Sequence, residues 1–361
     1  MFSGASVLFV RNCSAAIISS AVFGFVFGLS GCGANSVGGT RPVAAPVGSA
    51  AAGTPVVAVL GYVWDSRLPG LRRLTGVLGA THLESGIAGG TAIASASPCA
   101  SKGFALIADS SGAVLMMSLP TGQVSSLTGA VAKKELMLLS PSCSSALIYA
   151  PGAPTGMLIT GLPLLPQIQS ISLGTSGSVV GAAVGDTGSI LLAGLNADGS
   201  AAVHLLTTSS NESQSLATMQ SFGAMGFLPG GNTVVLADSG ANTVTLVTEQ
   251  STGPVITQLA SSAQGVSKPL AIASSADGHF AFVANGAGGP ILRLDLSGVS
   301  SPVSTACACT ASELLPLSGN AVFQLNDPAS GTIFALDGDS RTPRALFIPT
   351  DTIASSSGGT R

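Results

Sequence analysis

The stretch SSADGHFAFVAN at residues 274–285, followed by ILRLDL at residues 291–296, contains three strands and two turns in a row. The pair Asp277-Gly278 is a hairpin signal, because glycine accepts the positive φ that tight turns demand. The apolar run after this pair ends in asparagine, and a glycine-rich turn then leads to another apolar run. The stretch therefore predicts one unit of antiparallel sheet.

The same unit can be laid on six other segments of the chain. In each copy, an apolar strand ends in Asp, Asn or a small residue and is followed by a turn and a further strand. The last residues of these apolar strands are Asp65, Asp109, Ala150, Gly194, Asp238, Asn285 and Asn326. They are separated by 44, 41, 44, 44, 47 and 41 residues. A repeat of about forty residues in an all-β sequence predicts four-stranded propeller blades.

The side chains of the strands fit this architecture. Residues 105–108 (ALIA) and 234–237 (VVLA) are apolar throughout, as expected for sheets that are covered on both faces. Residues 91–96 (TAIASA) and 270–275 (LAIASS) are mostly small, which suits crowded strands near an axis. We therefore predict an all-β fold, a seven-bladed β-propeller of four-stranded blades, over residues 56–361.

The two ends of this domain predict how the ring closes. The first unit lacks an inner strand, because residues 56–60 lead directly into its middle strand. After the last unit, residues 351–356 (DTIASS) have the composition of the missing strand. We predict that this C-terminal segment joins the first blade and closes the ring, which removes an exposed sheet edge.

The unit at residues 274–296 resembles the surface-layer "YVTN" propeller repeat, in its DG turn, aromatic residue, VAN sequence and following strand that ends in Asp295. Residues 232–247 are a looser echo of the same repeat. The resemblance implies a seven-bladed propeller of an often extracytoplasmic family, which includes proteins described as lactonase-like. It implies no particular activity, because one fold hosts many functions.

The first 31 residues have the order of a signal peptide. Arg11 precedes an apolar run over residues 15–28, and the tetrapeptide LSGC ends at Cys32. This tetrapeptide resembles the bacterial lipobox, which implies cleavage before Cys32 and an acyl group on that cysteine. An uncleaved membrane helix that ends near Leu29 is the alternative, because the run is only a few residues short of the ~20 that a span needs.

Residues 32–55 are rich in Gly, Ala, Ser and Pro and carry one charge. Such a segment buries too little apolar surface to fold, so we predict a flexible tether. By the lipobox resemblance, Gly33 after the cysteine implies the outer membrane of a diderm cell. The expected localisation is therefore extracytoplasmic, with the protein lipid-anchored to a membrane.

The charge balance excludes one class of partner. Only 8% of the residues are charged, and the formal net charge is −3. No basic stripe is available to neutralise phosphates, so we expect no nucleic-acid binding. The expected partners are the membrane, through the anchor, and an envelope protein or glycan; no cofactor is expected.

Polar residues recur at equivalent strand ends, and they have two interpretations. The set is Asp65, Asp109, Asp238, Asn285 and Asn326. A ring of such oxygens could attract a cation, but calcium takes six to eight oxygen ligands from one place. We therefore predict that each side chain accepts hydrogen bonds within its own turn, as Asx residues do. The isolated positions of His82, His204 and His279 likewise predict no metal site.

The densest charged group lies in the first unit and consists of Arg67, Arg72, Arg73, His82 and Glu84. These residues are the candidates for a binding face, and ordinary solvated charges on an outer strand are the alternative. Catalytic residues are not identifiable, because no serine lies in a G-x-S-x-G motif.

Four cysteines remain after the signal peptide and Cys32. Cys99 and Cys143 fall in the same turn of adjacent units, so we predict a disulfide between them. The pair Cys307 and Cys309 leaves a labile disulfide, or thiols paired elsewhere, as open alternatives. A redox role would lack the helix start that lowers a thiol pKa.

The sequence as a whole predicts a membrane-anchored binding scaffold at the cell envelope. A lactonase-like hydrolase and a purely structural surface protein are the competing hypotheses. An enzyme predicts charged residues gathered at one end of the propeller axis, whereas a binding protein predicts an exposed apolar or polar patch.

Overall fold

The computed structural model describes residues 58–68, 70–87, 92–132, 135–174, 178–208, 212–250, 253–286 and 288–349. The chain divides into two units, residues 1–54 and 55–361, and the described residues all belong to the second unit. The expected signal peptide, Cys32 and the tether lie outside these ranges and stay predictions. Within these ranges, no helix has the length and hydropathy that crossing a bilayer requires.

Seven antiparallel sheets follow one another along the chain. The first sheet has three strands in its described part, β1 (Val59–Asp65), β2 (Gly70–Val77) and β3 (Ala80–Gly86). The second has β4 (Ile93–Cys99), β5 (Phe104–Asp109), β6 (Ala113–Ser118) and β7 (Val124–Val131). The third has β8 (Leu136–Leu139), β9 (Ser145–Tyr149), β10 (Thr155–Thr160) and β11 (Gln167–Ser172). The fourth has β12 (Ser178–Val184), β13 (Ile190–Leu195), β14 (Ala201–Thr207) and β15 (Glu212–Met219).

The last three sheets repeat the same four-stranded order. The fifth has β16 (Phe222–Phe227), β17 (Val234–Asp238), β18 (Thr243–Gln250) and β19 (Gly253–Ala260). The sixth has β20 (Pro269–Ser274), β21 (Phe280–Asn285), β22 (Ile291–Asp295) and β23 (Val303–Thr305). The seventh has β24 (Leu315–Pro316), β25 (Val322–Gln324), β26 (Ile333–Asp337) and β27 (Arg344–Ile348). Short 3₁₀ helices span Ala100–Lys102, Ser262–Gln264 and Pro328–Ser330.

Packing between the sheets closes them into a ring. Seven clusters of buried apolar side chains each join two consecutive blades. One of them joins the last blade to the first, where Val63 and Leu74 pack with Val322 and Ile333. The chain is a seven-bladed β-propeller. The prediction of an all-β fold with four-stranded blades is therefore confirmed.

Burial explains why the strands do not alternate between apolar and polar residues. In β5, four consecutive residues, 105–108, have no solvent exposure, and β9 and β21 are buried in the same way. Each of these second strands is covered by a neighbouring blade on both faces, so both sets of side chains are apolar.

The ring has two distinct faces. The first strands of neighbouring blades contact one another and lie nearest the axis. We call the side with the first-to-second and third-to-fourth turns, such as residues 275–279 and 161–166, the hairpin face. The opposite side, with the second-to-third turns and the crossings between blades, such as residues 239–242 and 261–268, is the mouth face.

On the hairpin face, hydrogen bonds between neighbouring blades link their turns. The carboxylate of Asp186 accepts hydrogen bonds from the backbone N–H of Ser142 (2.8 Å) and of Gly230 (2.9 Å), so it joins three blades. Between the last two blades, the side chains of Asp277 and Asn320 are linked in the same manner. These links hold the turns of the hairpin face in fixed positions.

In the first blade, β1 corresponds to the second strand of the other blades, because its last residue, Asp65, aligns with Asp109 at the end of β5. The innermost strand that we predict for this blade, residues 351–356, lies outside the described residues. Its role in closing the ring stays a prediction.

Deleting residues 350–361 is expected to lower the free energy of unfolding by about 3 kcal/mol, since a short added strand supplies several backbone hydrogen bonds worth about 1 kcal/mol each. Thermal or urea unfolding measures this loss. Deleting only residues 357–361 is the matched control and should leave stability unchanged, because it spares the predicted strand. Equal stability of both truncated proteins would contradict the predicted closure.

Candidate functional site

Four exposed apolar side chains mark the mouth face at the propeller axis. They are Leu136 (47% exposed), Val180 (36%), Leu270 (47%) and Leu315 (45%). Each lies at or near the start of a first strand, and these strands belong to the third, fourth, sixth and seventh blades. Because first strands begin on the mouth face and lie nearest the axis, the four residues lie around the axial end of that face. We call this set the axial mouth.

β-Bulges account for two of these exposed side chains. In β12, the pairing with β13 shifts between Val179 and Gly181, so Val180 is the extra residue. In β20, the pairing with β21 shifts between Pro269 and Ala271, which makes Leu270 the extra residue. A bulged residue leaves the ladder and its side chain is re-aimed, which explains how large apolar groups come to be exposed in crowded inner strands.

The crossing that leads to Leu270 is held rigidly. The side-chain oxygen of Asn285 accepts a hydrogen bond from the N–H of Ser267 (2.8 Å), and its amide donates to the carbonyl of Gly265 (2.9 Å). The N–H of Lys268 donates to the side chain of Asn242 at 2.6 Å. Lys268 (φ 45°) and Asn242 (φ 54°) both adopt the left-handed region, and such strain persists only where the surroundings enforce it.

A polar pair lies beside the axial mouth in the seventh blade. Gln324, in the second strand, is 3% exposed and donates hydrogen bonds to the carboxylate of Glu313 (2.8 Å) and to the carbonyl of Asn326 (2.9 Å). Glu313 lies two residues before Leu315. Burial raises the pKa of Glu313, the hydrogen bond from Gln324 lowers it, and nearby Asp327 raises it further, so the net pKa is above its usual value. The mouth therefore has an acidic group at one side.

The aspartates at the strand ends cap their own turns. Asp109 accepts hydrogen bonds from the N–H groups of Ser111 (2.8 Å) and Ala113 (3.0 Å). Asp238 accepts from the N–H groups of residues 240 and 241 and also from residues 220 and 221 in the crossing that enters its blade. These contacts are those of Asx residues, and they brace the mouth face instead of forming a cation site.

The two asparagines of the set hold different segments of the chain. Asn285 clamps the crossing that enters its blade, and the side-chain oxygen of Asn326 accepts from the N–H of Phe334 at 2.9 Å. Their amide N–H groups need acceptors, which a turn of backbone N–H groups does not offer. The prediction of local capping is therefore wrong for Asn285, whereas the partners of Asn326, the N–H of Phe334 and the carbonyl of Thr332, lie across its own turn.

Of the charged candidates in the first blade, Arg72 is almost fully buried. Its guanidinium donates to the carboxylate of Asp65 (3.2 Å) and to the carbonyl of Glu84 (2.9 Å). Asp65 is 1% exposed and also accepts from the N–H of Arg67 (3.1 Å). Arg72 is the cross-strand partner of Val63, which packs against the last blade. This ion pair therefore lies between the first and last blades.

The other candidates lie on the same blade, and two of them, Arg67 and Glu84, adjoin this ion pair. Arg73 is half-buried and forms an ion pair with Glu84 at 3.6 Å. Its Nε is buried without a hydrogen-bond partner in the described part of the chain. His82, in the outermost strand, is exposed and contacts the hydroxyl of Thr75 at 3.0 Å. The structure thus links four of the five candidates: Asp65 contacts Arg67 and Arg72, and Glu84 contacts Arg72 and Arg73. His82 stays apart from them.

Within the described ranges, no three His, Cys, Asp or Glu side chains are grouped so that they could hold a metal ion. His279 is exposed and pairs with Asp277 in a hairpin turn (3.0 Å). His204 lies in β14, opposite Leu192 and Ser215.

Two disulfides are present in the described chain. One joins Cys99 to Cys143, with 6.4 Å between their α-carbons, and links the second blade to the third. Cys143 adopts φ 54° at a turn position that glycine occupies in Gly188 and Gly278. The other joins Cys307 to Cys309 in the crossing between the last two blades.

Comparisons with known proteins give a fold and no family. A scan of protein-family models finds no match, and a search of curated protein sequences finds none either. Among solved structures, a functionally unknown protein from Desulfotomaculum acetoxidans is similar at 14% identity and a TM-score of 0.51, over 81% of this chain and 100% of that one. This likeness shows the fold alone.

Two further structures have TM-scores below one half. A catalytically inactive virginiamycin B lyase from Staphylococcus aureus, crystallised with quinupristin, is 16% identical over 69% of this chain and 81% of its own, with a TM-score of 0.47. Hydrazine synthase from Kuenenia stuttgartiensis is 12% identical over 83% and 99%, also with a TM-score of 0.47.

Sequence reasoning did not identify the residues of the axial mouth. One signal was available for Gln324, because the other six units have Val, Ile or Leu at the equivalent position. A polar residue in an otherwise apolar position of a repeat indicates a local role.

Proposed function

We propose that this chain is an extracytoplasmic lipoprotein, anchored through an acyl group on Cys32 in the outer membrane if the cell is diderm, and that its propeller binds an envelope protein at the axial mouth. The observation that carries the binding role is the set of four exposed apolar side chains, Leu136, Val180, Leu270 and Leu315, around the axial end of the mouth face. Exposed apolar groups gathered at one place on a folded domain mark a binding surface.

The chemistry of the mouth favours an apolar segment as the ligand. Four aliphatic side chains from four blades offer dispersion contacts and remove apolar surface from water when they are covered. Glu313 at one side supplies a polar group that orients a ligand, as polar groups do in otherwise apolar sites. A glycan would need many more hydrogen-bonding groups to match its hydroxyls.

The test is a cross-linked affinity pull-down from solubilised membranes. We compare the wild-type chain with the double variant Leu270→Asp and Leu315→Asp, which places two charges at the mouth. A stoichiometric partner is expected with the wild-type chain, with at least a tenfold loss in the double variant, since burying unpaired charges costs more than about 1.4 kcal/mol.

Val131→Asp is the matched control, because Val131 is 43% exposed on the mouth face but lies at the end of an outermost strand. It should retain the partner. Equal capture by all three proteins would contradict binding at the mouth.

A further inference from the structure

The most exposed apolar side chains of the described residues lie on one face of the ring. Leu164 (86% exposed), Val299 (86%), Leu165 (76%) and Val77 (62%) are the four most exposed large apolar residues in these ranges. All four lie in or beside turns between third and fourth strands, and therefore on the hairpin face. We call these residues the apolar tips.

The tips are spread around the ring. Val77 belongs to the first blade, Leu164 and Leu165 to the third, and Val299 to the sixth. Successive tips are thus separated by two, three and two blades around a ring of seven. The tips therefore lie on several sides of one face, an arrangement that fits a flat surface better than a groove or a protruding segment.

The turn at residues 161–166 presents its leucines rigidly. Leu162 is buried, and its N–H donates to the carbonyl of Ser144 (3.0 Å), which fixes the turn to the body of the blade. The N–H of Leu165 donates to the carbonyl of Gly161 (2.9 Å). Gly161 has φ 76°, and an added Cβ would clash with the carbonyl oxygen of Leu165. The hydrogen bonds of this turn therefore keep the side chains of Leu164 and Leu165 exposed to solvent.

The blade that carries these leucines has no charge. From residue 136 to residue 185 the sequence contains no Asp, Glu, Lys, Arg or His. Elsewhere the hairpin face has both signs of charge, with exposed Lys102 and Arg341 as well as Asp277 and Asp295 in its turns. The face therefore has an uncharged sector and no excess of positive charge for anionic lipids.

The chain enters the propeller on this same face. β1 corresponds to a second strand, and second strands begin on the hairpin face. The carbonyl of Ala58 accepts a hydrogen bond from the N–H of Gly76 (2.9 Å), next to the tip at Val77. Residues 33–57 separate this entry from Cys32, a length whose random-coil reach is on the order of 25 Å.

We infer that the hairpin face docks on the lipid bilayer through the apolar tips and holds the axial mouth away from the membrane. The inference rests on the proposed anchor at Cys32, which brings this face to within reach of the bilayer. The contact is apolar, so it needs no anionic lipid: docking is the same on phosphatidylcholine vesicles as on vesicles that also contain phosphatidylglycerol.

The experiment uses the lipidated chain bound to phosphatidylcholine vesicles that contain spin-labelled lipid. An environment-sensitive fluorophore is attached through Leu165→Cys and, as the matched control, through Leu195→Cys. Leu195 is 40% exposed and ends a second strand on the mouth face. We expect the lipid spin label to quench the fluorophore at residue 165 several-fold more than the one at residue 195, and thermal unfolding confirms that both variants are folded.

Flotation of the vesicles reports the anchor separately from the docking. Flotation with equal quenching at both positions would overturn the docking and leave the anchor in place. Failure of the lipidated chain to float would overturn the anchor, and with it the premise of the docking. A double variant, Leu164→Asp with Leu165→Asp, tests whether the tips act together. It should still float, because it keeps the anchor, but a fluorophore attached through Val299→Cys in this variant should lose about half or more of its quenching by the lipid spin label. Unchanged quenching at residue 299 would contradict a shared apolar contact.

Discussion

Replacing Asp65 with alanine is expected to lower the free energy of unfolding by about 3–5 kcal/mol, the range found when one partner of a buried ion pair is removed. Asp65 is 1% exposed, and Arg72, its partner at 3.2 Å, is 7% exposed. The substitution takes a carboxylate away from a buried guanidinium between the first and last blades. Urea unfolding measures the change.

Two control variants separate the ion pair from a general effect of the strand end. Asp109→Ala removes the equivalent residue of the second blade, where the side chain caps an exposed turn, and should cost much less stability than Asp65→Ala. The double variant Asp65→Ala with Arg72→Met removes both charges and should be more stable than Asp65→Ala alone. If Asp65→Ala and Asp109→Ala cost the same, the pair does not stabilise the junction between the blades.

The contribution of Asp65 should also depend on pH. Burial tends to raise the pKa of Asp65, but hydrogen bonds from Arg72 and Arg67 outweigh it, and the net pKa lies below the ordinary value. A lowered pKa in the folded state means that the stabilisation is present above the pKa of the unfolded chain and is lost as the pH falls through the folded pKa. The stability difference between wild type and Asp65→Ala should therefore shrink below about pH 4.

Replacing Cys32 with alanine is expected to move most of the protein from the membrane fraction to a soluble extracytoplasmic fraction, because the acylated cysteine is the proposed attachment. Labelling with a palmitate analogue and cell fractionation measure this change. The label should be lost at the same time. Cys13→Ala is the matched control, since Cys13 lies within the predicted signal peptide, and it should change neither the label nor the fraction.

The mass of the mature wild-type chain distinguishes the two models of the N-terminus. Cleavage before Cys32 gives a chain that begins at that residue and carries acyl groups. A wild-type chain that retains residues 1–31 and carries no acyl group would support the uncleaved helix and contradict the anchor.

The ring was predictable because each blade repeats the same local signals. Apolar second strands such as residues 234–238, ending in a capping residue, are buried on both faces as their composition requires. The Asp277-Gly278 turn forms as its sequence predicts, with Gly278 at φ 70°. The spacing of the strand ends then fixes the number of blades.

The axial mouth was not predictable in the same way. Leu270 belongs to a run of small residues that reads as an ordinary inner strand, and only the bulge in its pairing with β21 exposes it. A bulge depends on the register between two strands, which a single sequence does not specify. Gln324, by contrast, could have been found, because it is the polar exception at a position where the other units are aliphatic.

For Arg72, the sequence indicates an exposed side chain, whereas the structure buries it. In the sequence LRRL at residues 71–74, two adjacent arginines are typical of an exposed strand. Adjacent residues point to opposite faces of a strand, and here both faces are covered by a neighbouring blade. Arg72 is buried beside Asp65, because Asp65 lies on the same face of β1 as Val63, the cross-strand partner of Arg72. This proximity depends on the register between β1 and β2, which the sequence alone does not show.

The most direct test of the binding role is photo-cross-linking in intact cells from single positions on the mouth face. A benzophenone amino acid is placed at residue 270, in the axial mouth, or at residue 131, which has similar exposure at the end of an outermost strand. Our account predicts a discrete cross-linked adduct from residue 270 and none from residue 131. The same adducts from both positions, or no adduct from residue 270, would contradict it.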